Sequence, residues 1–399
     1  ELPVKESRVS LVRNREVSLG NNRASRAWVL LVITITMNQM AEVGLKFFSR
    51  RDVVVALFCA AGLFAVPGKA FSQAPPRGVF SLTRLEQQPR GPVLSNPDVD
   101  GISLREGWND LEPREGVFDW TYLDSAVAAA AAVRKQVLIR VSTEIGRPSW
   151  VDTAVTTAGG SFFTFDDDGV TTTIPVFWDP TYLAKETAMI AALGAHFTNN
   201  PAVKIVVVSF ANATSEDWNV PHTPDYVNQW LALGYTTQKM LDAGRQVIDA
   251  TMSAFPNQYV TLAVGGNGPY LDPAPDYVAR NAVINARAVW GGRLIVQKND
   301  LSTFIPTAPG TGTLYQMISD FQPGIGGQMV FQCFGDQTYR VNGGVRISPS
   351  AALTESVDNG VSYGEKYIEI YETDVVNLPK AIHYAHRALV GKQKLRRSR

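Results

Sequence analysis

The chain predicts an α/β protein built as a single (β/α)8 TIM barrel, and three observations carry that prediction. Eight short β-rich runs alternate with longer helical stretches between residues 78 and 389, the pattern of repeated parallel βαβ units. No Gly-rich phosphate loop follows the first run or any other, which disfavours the alternative of a doubly wound open sheet. No internal repeat or low-complexity linker divides this body, so it reads as one domain.

The β-rich runs fall at residues 79–83, 101–105, 136–141, 204–209, 259–264, 293–297, 328–332 and 366–371. They are apolar, rich in β-branched residues and too short for helices, as expected of buried strands. Helical spacing fills the gaps at residues 119–133, 181–197, 236–255, 276–290, 313–321, 351–361 and 381–389. In the first of these Trp120, Leu123 and Val127 recur on one face of an Ala-rich stretch.

Composition bounds the function classes. The chain has 399 residues, 45% hydrophobic and 19% charged, which is ordinary globular usage with ample length for a large core. Net charge is zero, yet residues 74–391 hold 22 Lys and Arg against 32 Asp and Glu. An acidic body argues against nucleic acid as a partner.

The basic excess sits at the ends. Residues 1–39 lack periodicity and read as an upstream or disordered extension, with Met40 as the expected natural start. Ser49-Arg50-Arg51, an apolar run over 53–66 and Ala70-Phe71-Ser72 then form an n-region, an h-region and a small-x-small cleavage site. Residues 40–72 are therefore expected to be an export signal that resembles the twin-arginine type; a membrane anchor is the alternative. The mature protein, residues 73–391, would be periplasmic or secreted, with no stable membrane span. It would keep Cys333 without Cys59 and so carry no internal disulfide. Residues 392–399 read as a basic disordered tail. Oligomeric state is not legible.

Active sites of such barrels lie at the C-terminal ends of the strands. Strand two ends at Arg105 with Trp108 beyond, and strand three near Arg140, with Trp150 in the next loop. Strand four opens into residues 209–222, S-F-A-N-A-T-S-E-D-W-N-V-P-H, which carry Asn212, Glu216, Trp218 and His222. Strand five gives Asn267, strand six Gln297 and Asn299, strand seven Gln332, and strand eight Glu369, Tyr371 and Glu372. Amides, carboxylates and guanidinium groups pair with hydroxyls, and aromatic faces stack on the C–H face of a sugar ring. The rim thus suits a carbohydrate. No His/Cys/Asp cluster has metal spacing and no cofactor motif is present. Asp166-Asp167-Asp168-Gly169 lacks the later Glu of a calcium loop and reads as a hairpin turn. A serine nucleophile is disfavoured, because no G-x-S-x-G elbow occurs.

Residues 100–124, DGISLREGWNDLEPREGVFDWTYLD, resemble the retaining clan of (β/α)8 glycoside hydrolases, notably the family 42 β-galactosidase-like and family 5 enzymes. Residues 137–140 with Arg147-Pro-Ser-Trp150 resemble the clan's third strand and its Pro-Trp loop. The segment IPVFWDPTYLAK at 174–185 is similar to one in exported bacterial barrels grouped as glycoside hydrolases. The resemblance covers the first half of the body; the second half matches in its alternation.

The resemblance implies a two-carboxylate glycosidase without a cofactor. Its acid/base Glu directly follows an Asn at the end of strand four. Glu216 matches by position, although Ser215 precedes it and the nearest upstream Asn is Asn212. The clan's nucleophile lies on strand seven, where this chain has Gln332; the best second carboxylate is Glu369, one strand later, with Glu372 next. The strand count is off, the pair is rearranged, or activity is lost. Alternation puts Tyr367, Glu369 and Tyr371 on one face and Ile368 and Ile370 on the other. An inward carboxylate needs a partner, so Glu369 is either functional or a structural pair with an Arg. The expected function is hydrolysis of O-glycosidic bonds. The alternatives are a catalytically inactive barrel that binds carbohydrate and an exported interaction protein.

Overall fold

The structure, a computed structural model, describes residues 71, 73–213, 218–267, 277–308, 310, 318–321, 325–335, 341–342 and 344–391. The expected extension, the basic tail and all of the signal except Phe71 lie outside the described residues. So do Glu216 and most of the helix expected at 313–321.

Eight parallel strands close into a barrel. They are β1 (Gly78–Leu82), β2 (Gly101–Gly107), β3 (Gln136–Ser142), β6 (Val203–Val207), β8 (Tyr259–Asn267), β9 (Leu294–Leu301), β10 (Ile325–Met329) and β13 (Tyr367–Tyr371). Their order is β6-β3-β2-β1-β13-β10-β9-β8, and pairing of β6 with β8 completes the ring. Outside the barrel, β4 (Phe162–Asp167) pairs with β5 (Val170–Pro175), and β11 (Val341–Asn342) with β12 (Val345–Arg346). The two-residue β7 (Trp218–Asn219) lies along β8.

Around the strands run α3 (Thr121–Ala132), α5 (Pro180–Phe197), α7 (Thr237–Ala254), α8 (Tyr277–Trp290), α9 (Pro349–Ser362) and α11 (Pro379–Val390). Short helices α1 (Gly91–Leu94), α2 (Trp108–Leu111), α4 (Ser149–Thr157), α6 (Pro224–Ala232) and α10 (Glu372–Asn377) sit in the connections. Among the described residues no helix is long and apolar enough to cross a membrane.

Local chemistry starts the helices where the sequence places them. Asp179 caps α5 by accepting from the amides of Thr181 and Tyr182, both at 2.9 Å, with Pro180 at the first helical position. Thr236 caps α7 through the Lys239 amide at 3.1 Å. The Asp-Asp-Asp-Gly run is the hairpin turn between β4 and β5. Asp168 and Gly169 both have positive φ, 52° and 87°, as a two-residue type I′ turn requires.

Several strands run past their expected ends, among them β2, β8 and β9, and two other differences bear on the site. β6 ends at Val207, so Ser209 belongs to the loop. The seventh barrel strand, β10, runs over Ile325–Met329 rather than 328–332. Its Gly326-Gly327 pair reads as a break, because glycine weakens strands. Here each glycine makes room for a neighbour: a Cβ on Gly326 would overlap the Tyr367 ring, and one on Gly327 the Glu365 carboxyl. Gln332 consequently lies beyond the strand, and Gln328 is the amide that β10 carries next to Glu369.

The barrel interior is layered. Phe80, Leu138, Ile205, Tyr259, Ile295 and Tyr367 form an apolar plug. Two residues further along their strands, Arg140, Gln297 and Glu369 replace Leu138, Ile295 and Tyr367 with polar groups. Side chains two apart share a face, so the polar layer stands directly on the plug, toward the mouth.

Candidate active site

A cavity of about 440 Å³ opens at the strand ends, lined among others by Arg105, Glu106, Arg140, Ser142, Ser209 and Asn212. The ends of β2 and β3 and the loop after β6 therefore converge, as in a barrel whose chemistry sits at its C-terminal face. Arg105, Arg140 and Asn212, expected from the sequence, meet here. The Asn212 side-chain oxygen is buried with no hydrogen-bond partner among the described residues. A buried acceptor without a donor is costly, and a ligand hydroxyl would relieve it.

Beneath the cavity lies Glu369, 0% exposed. Its carboxylate accepts from Arg140 Nη2 at 2.9 Å, from the Ser103 hydroxyl and from the Gln297 amide. Gln297 is oriented in turn: its Oε1 accepts from the Tyr367 hydroxyl at 2.7 Å, and its Nε2 donates to Asn299 Oδ1 at 2.7 Å. The Asn299 amide nitrogen has no partner among the described residues. Burial, with the Glu369 charge adding to it, raises the Tyr367 phenol far above its ordinary range, so the tyrosine remains a hydrogen-bond donor. This network is a buried ion pair with its acceptor sites filled, the arrangement a charge inside a barrel requires.

An acidic wall that the sequence reading missed flanks the cavity. Glu106 is 3% exposed, and its Oε2 has no hydrogen-bond partner among the described residues. Burial pushes its carboxyl up to about 8, helped by the charges of Glu86, Asp110 and Asp119. Glu86 is also raised, chiefly by its hydrogen bond to Asp110. At neutral pH Glu106 is mostly a carboxylic acid. β2 runs two residues past the expected Arg105, and this extension carries Glu106 into the mouth.

Several expected contacts are placed elsewhere. Trp108 is not a sugar platform: it is 0% exposed and donates its indole N–H to Glu112 at 2.8 Å. Trp150 packs edge-on against it and donates to the Glu112 carbonyl at 3.0 Å. Trp218, 3% exposed, packs edge-on against Phe210 and over Gly244 of α7, where a Cβ would clash with the indole. Trp108 and Trp218 are therefore core, whereas Trp150 is partly buried against that core. Glu372 accepts from the Arg90 amide and Nε, both at 2.8 Å, and so ties the β1–β2 connection to α10 rather than facing a ligand. His222 Nδ1 bonds the Val220 carbonyl at 2.9 Å. Tyr371 ends β13 and Gln332 follows β10, both partly buried. Asn267 ends β8, and its backbone pairs with Asn219 of β7. No group of three or more described His, Cys, Asp or Glu residues is arranged to hold a metal ion.

Residues 94–245 match the family described as beta-galactosidase, glycoside hydrolase family 42. Among solved structures, the catalytic domain of beta-amylase from Paenibacillus polymyxa is similar with a TM-score of 0.55 at 11% identity, covering 78% of this chain and 98% of that one. The beta-galactosidase from the psychrophilic Marinomonas ef1 is similar with a TM-score of 0.51 at 10% identity, covering 80% of this chain. This chain spans 60% of that enzyme's length. No curated protein shows significant sequence similarity. At such identities the structural likeness speaks for the barrel fold, and the family match adds the sequence pattern of its first half.

Proposed function

We propose that this chain, a (β/α)8 glycoside hydrolase by its fold and its family match, cleaves the O-glycosidic bonds of an oligo- or polysaccharide through Glu216 as general acid/base and Glu369 as a charge-stabilising carboxylate. The observation that carries the reading is the convergence of Arg105, Arg140 and Asn212 on one mouth cavity, with the Asn212 oxygen without a hydrogen-bond partner among the described residues. Four residues after Asn212 in the sequence comes Glu216. An acid placed there would protonate the leaving oxygen while positive charge develops on the sugar ring.

Glu369 supports that charge from below. Its bonds to Arg140, Ser103 and Gln297, together with its complete burial, favour a stabilising role over that of an attacking nucleophile. A preorganised charge in a dry site acts more strongly than one in water. The Asn212 oxygen, without a partner among the described residues and on the cavity wall, supplies an acceptor for a sugar hydroxyl.

One observation favours a second reading, a barrel that binds carbohydrate without cleaving it. Asn212 is followed directly by Ala213, where the resemblance leads one to expect a Glu. A panel of aryl glycosides assayed with wild type and Glu216→Gln separates the two. Under the hydrolase reading wild type turns over at least one substrate, and the variant loses about 10²-fold or more of kcat, the range for a general acid. Equal turnover by both proteins removes Glu216 from the acid role. Saccharide binding by calorimetry without turnover selects the second reading.

A further inference from the structure

We propose that Glu144 is a positioning residue whose buried carboxylate clamps the backbone of the loop after β6 and so aims Asn212 into the cavity; this rests on the reading that the loop serves the hydrolytic site. Glu144 follows β3 and is 1% exposed. Its Oε1 accepts from the Ala211 amide at 2.6 Å, and its Oε2 accepts from the Thr143 hydroxyl at 2.7 Å. One side chain thus holds a backbone amide across 67 residues of sequence.

The backbone at the clamp is strained. Ala211 has φ +56°, a conformation that costs a non-glycine residue about 1 kcal/mol or more. A charge-assisted bond to its own amide offsets that cost. The turn directs Asn212 toward the cavity while Ala211 and Ala213 remain fully buried.

A second carboxyl shows where the charge resides. Glu186 of α5 is 0% exposed, and neither of its oxygens has a hydrogen-bond partner among the described residues. Tyr182, one turn earlier, is equally buried. Both carboxyls are raised, first by burial, and the pair cannot carry two charges side by side. The Thr143 hydroxyl lies between the two carboxyls, but the Ala211 amide donates to Glu144, so Glu144 takes the charge and Glu186 the proton. Among the described residues Arg147 lies close by, its guanidinium bonding the Glu144 carbonyl and the Asp152 carboxylate. Glu144 does not line the cavity and acts only through the loop.

Amide hydrogen exchange across residues 208–213 tests the clamp on the full chain without needing activity. In Glu144→Ala the Ala211 amide is expected to exchange roughly 10–100-fold faster, the range for a lost charge-assisted hydrogen bond. On an aryl glycoside that wild type hydrolyses, kcat should fall by about 10²-fold with KM nearly unchanged, the signature of a misplaced group. Adding Ala211→Gly to Glu144→Ala should restore much of kcat, because glycine holds positive φ without a clamp. Glu144→Gln keeps an acceptor for the Ala211 amide; it should fall between wild type and Glu144→Ala in both readouts, and it carries the test if the alanine variant does not fold. Unchanged exchange in either folded variant overturns the clamp. Faster exchange with unchanged kcat overturns the positioning role. A wild type without turnover fails the hydrolase reading instead, and exchange still decides the clamp.

Discussion

Replacing Glu106 with Gln should stabilise the protein relative to wild type, and increasingly so as pH rises. The folded-state carboxyl titrates at about 8, against an ordinary value of 4.5. Between these values the folded protein keeps a proton that the unfolded chain releases. The unfolded state therefore binds fewer protons, and wild-type stability falls as pH rises through that window. The destabilisation from this one group is about 1 kcal/mol at pH 5, about 3 kcal/mol at pH 7 and about 5 kcal/mol at pH 9, taking about 1.4 kcal/mol for each tenfold difference in proton affinity. Water at the cavity edge screens the charge, so these are upper bounds. Glu106→Gln keeps the shape and removes the titration. Urea unfolding of both proteins at pH 5, 7 and 9 should show curves that nearly coincide at pH 5 and separate by several kcal/mol at pH 9, with the variant more stable. The other raised carboxyls are common to both proteins, so the difference reports Glu106 together with its coupling to Glu86, Asp110 and Asp119. Parallel pH profiles would refute the argument, since they would mean that Glu106 is ionised and solvated in the folded barrel.

Glu369→Gln leaves the Arg140 charge buried without its counterion, and chemical denaturation should show a loss of about 3–5 kcal/mol. Changing both residues, Arg140→Met with Glu369→Leu, should cost far less, and a double variant as unstable as the single one would contradict the ion-pair account. Gly326→Ala forces a methyl group into the rigid Tyr367 ring. Overpacking of this kind costs about 1–3 kcal/mol, and a variant with wild-type melting would show that β10 and β13 leave more room than that clash implies.

Much of the barrel was legible because its signals are local. A run such as residues 204–209 cannot form a helix of that length, and a capping Asp179 before Pro180 starts α5 whatever surrounds it. Alternation along 367–371 correctly put Glu369 inside with Tyr367. The seventh strand was misplaced by three residues, because Gly326 and Gly327 carry no strand signal of their own. Their reason for being there, the Tyr367 ring and the Glu365 carboxyl, belongs to other parts of the chain.

The site divides along the same line. Sequence by itself determined the order of elements, the acidic body and which polar residues stand at strand ends, since each follows from neighbours within a few positions. Only tertiary structure decided which of those residues face the cavity. Trp108 and Trp218 look alike in sequence to rim aromatics, yet the connections close over both and make them core. Glu106 and Glu144 look like ordinary loop carboxylates, yet burial turns one into an acid and makes the other a holder of a backbone amide. Exposure, charge state and hydrogen-bond partner arise from groups tens to hundreds of residues apart, brought together when the eight strands close into a ring.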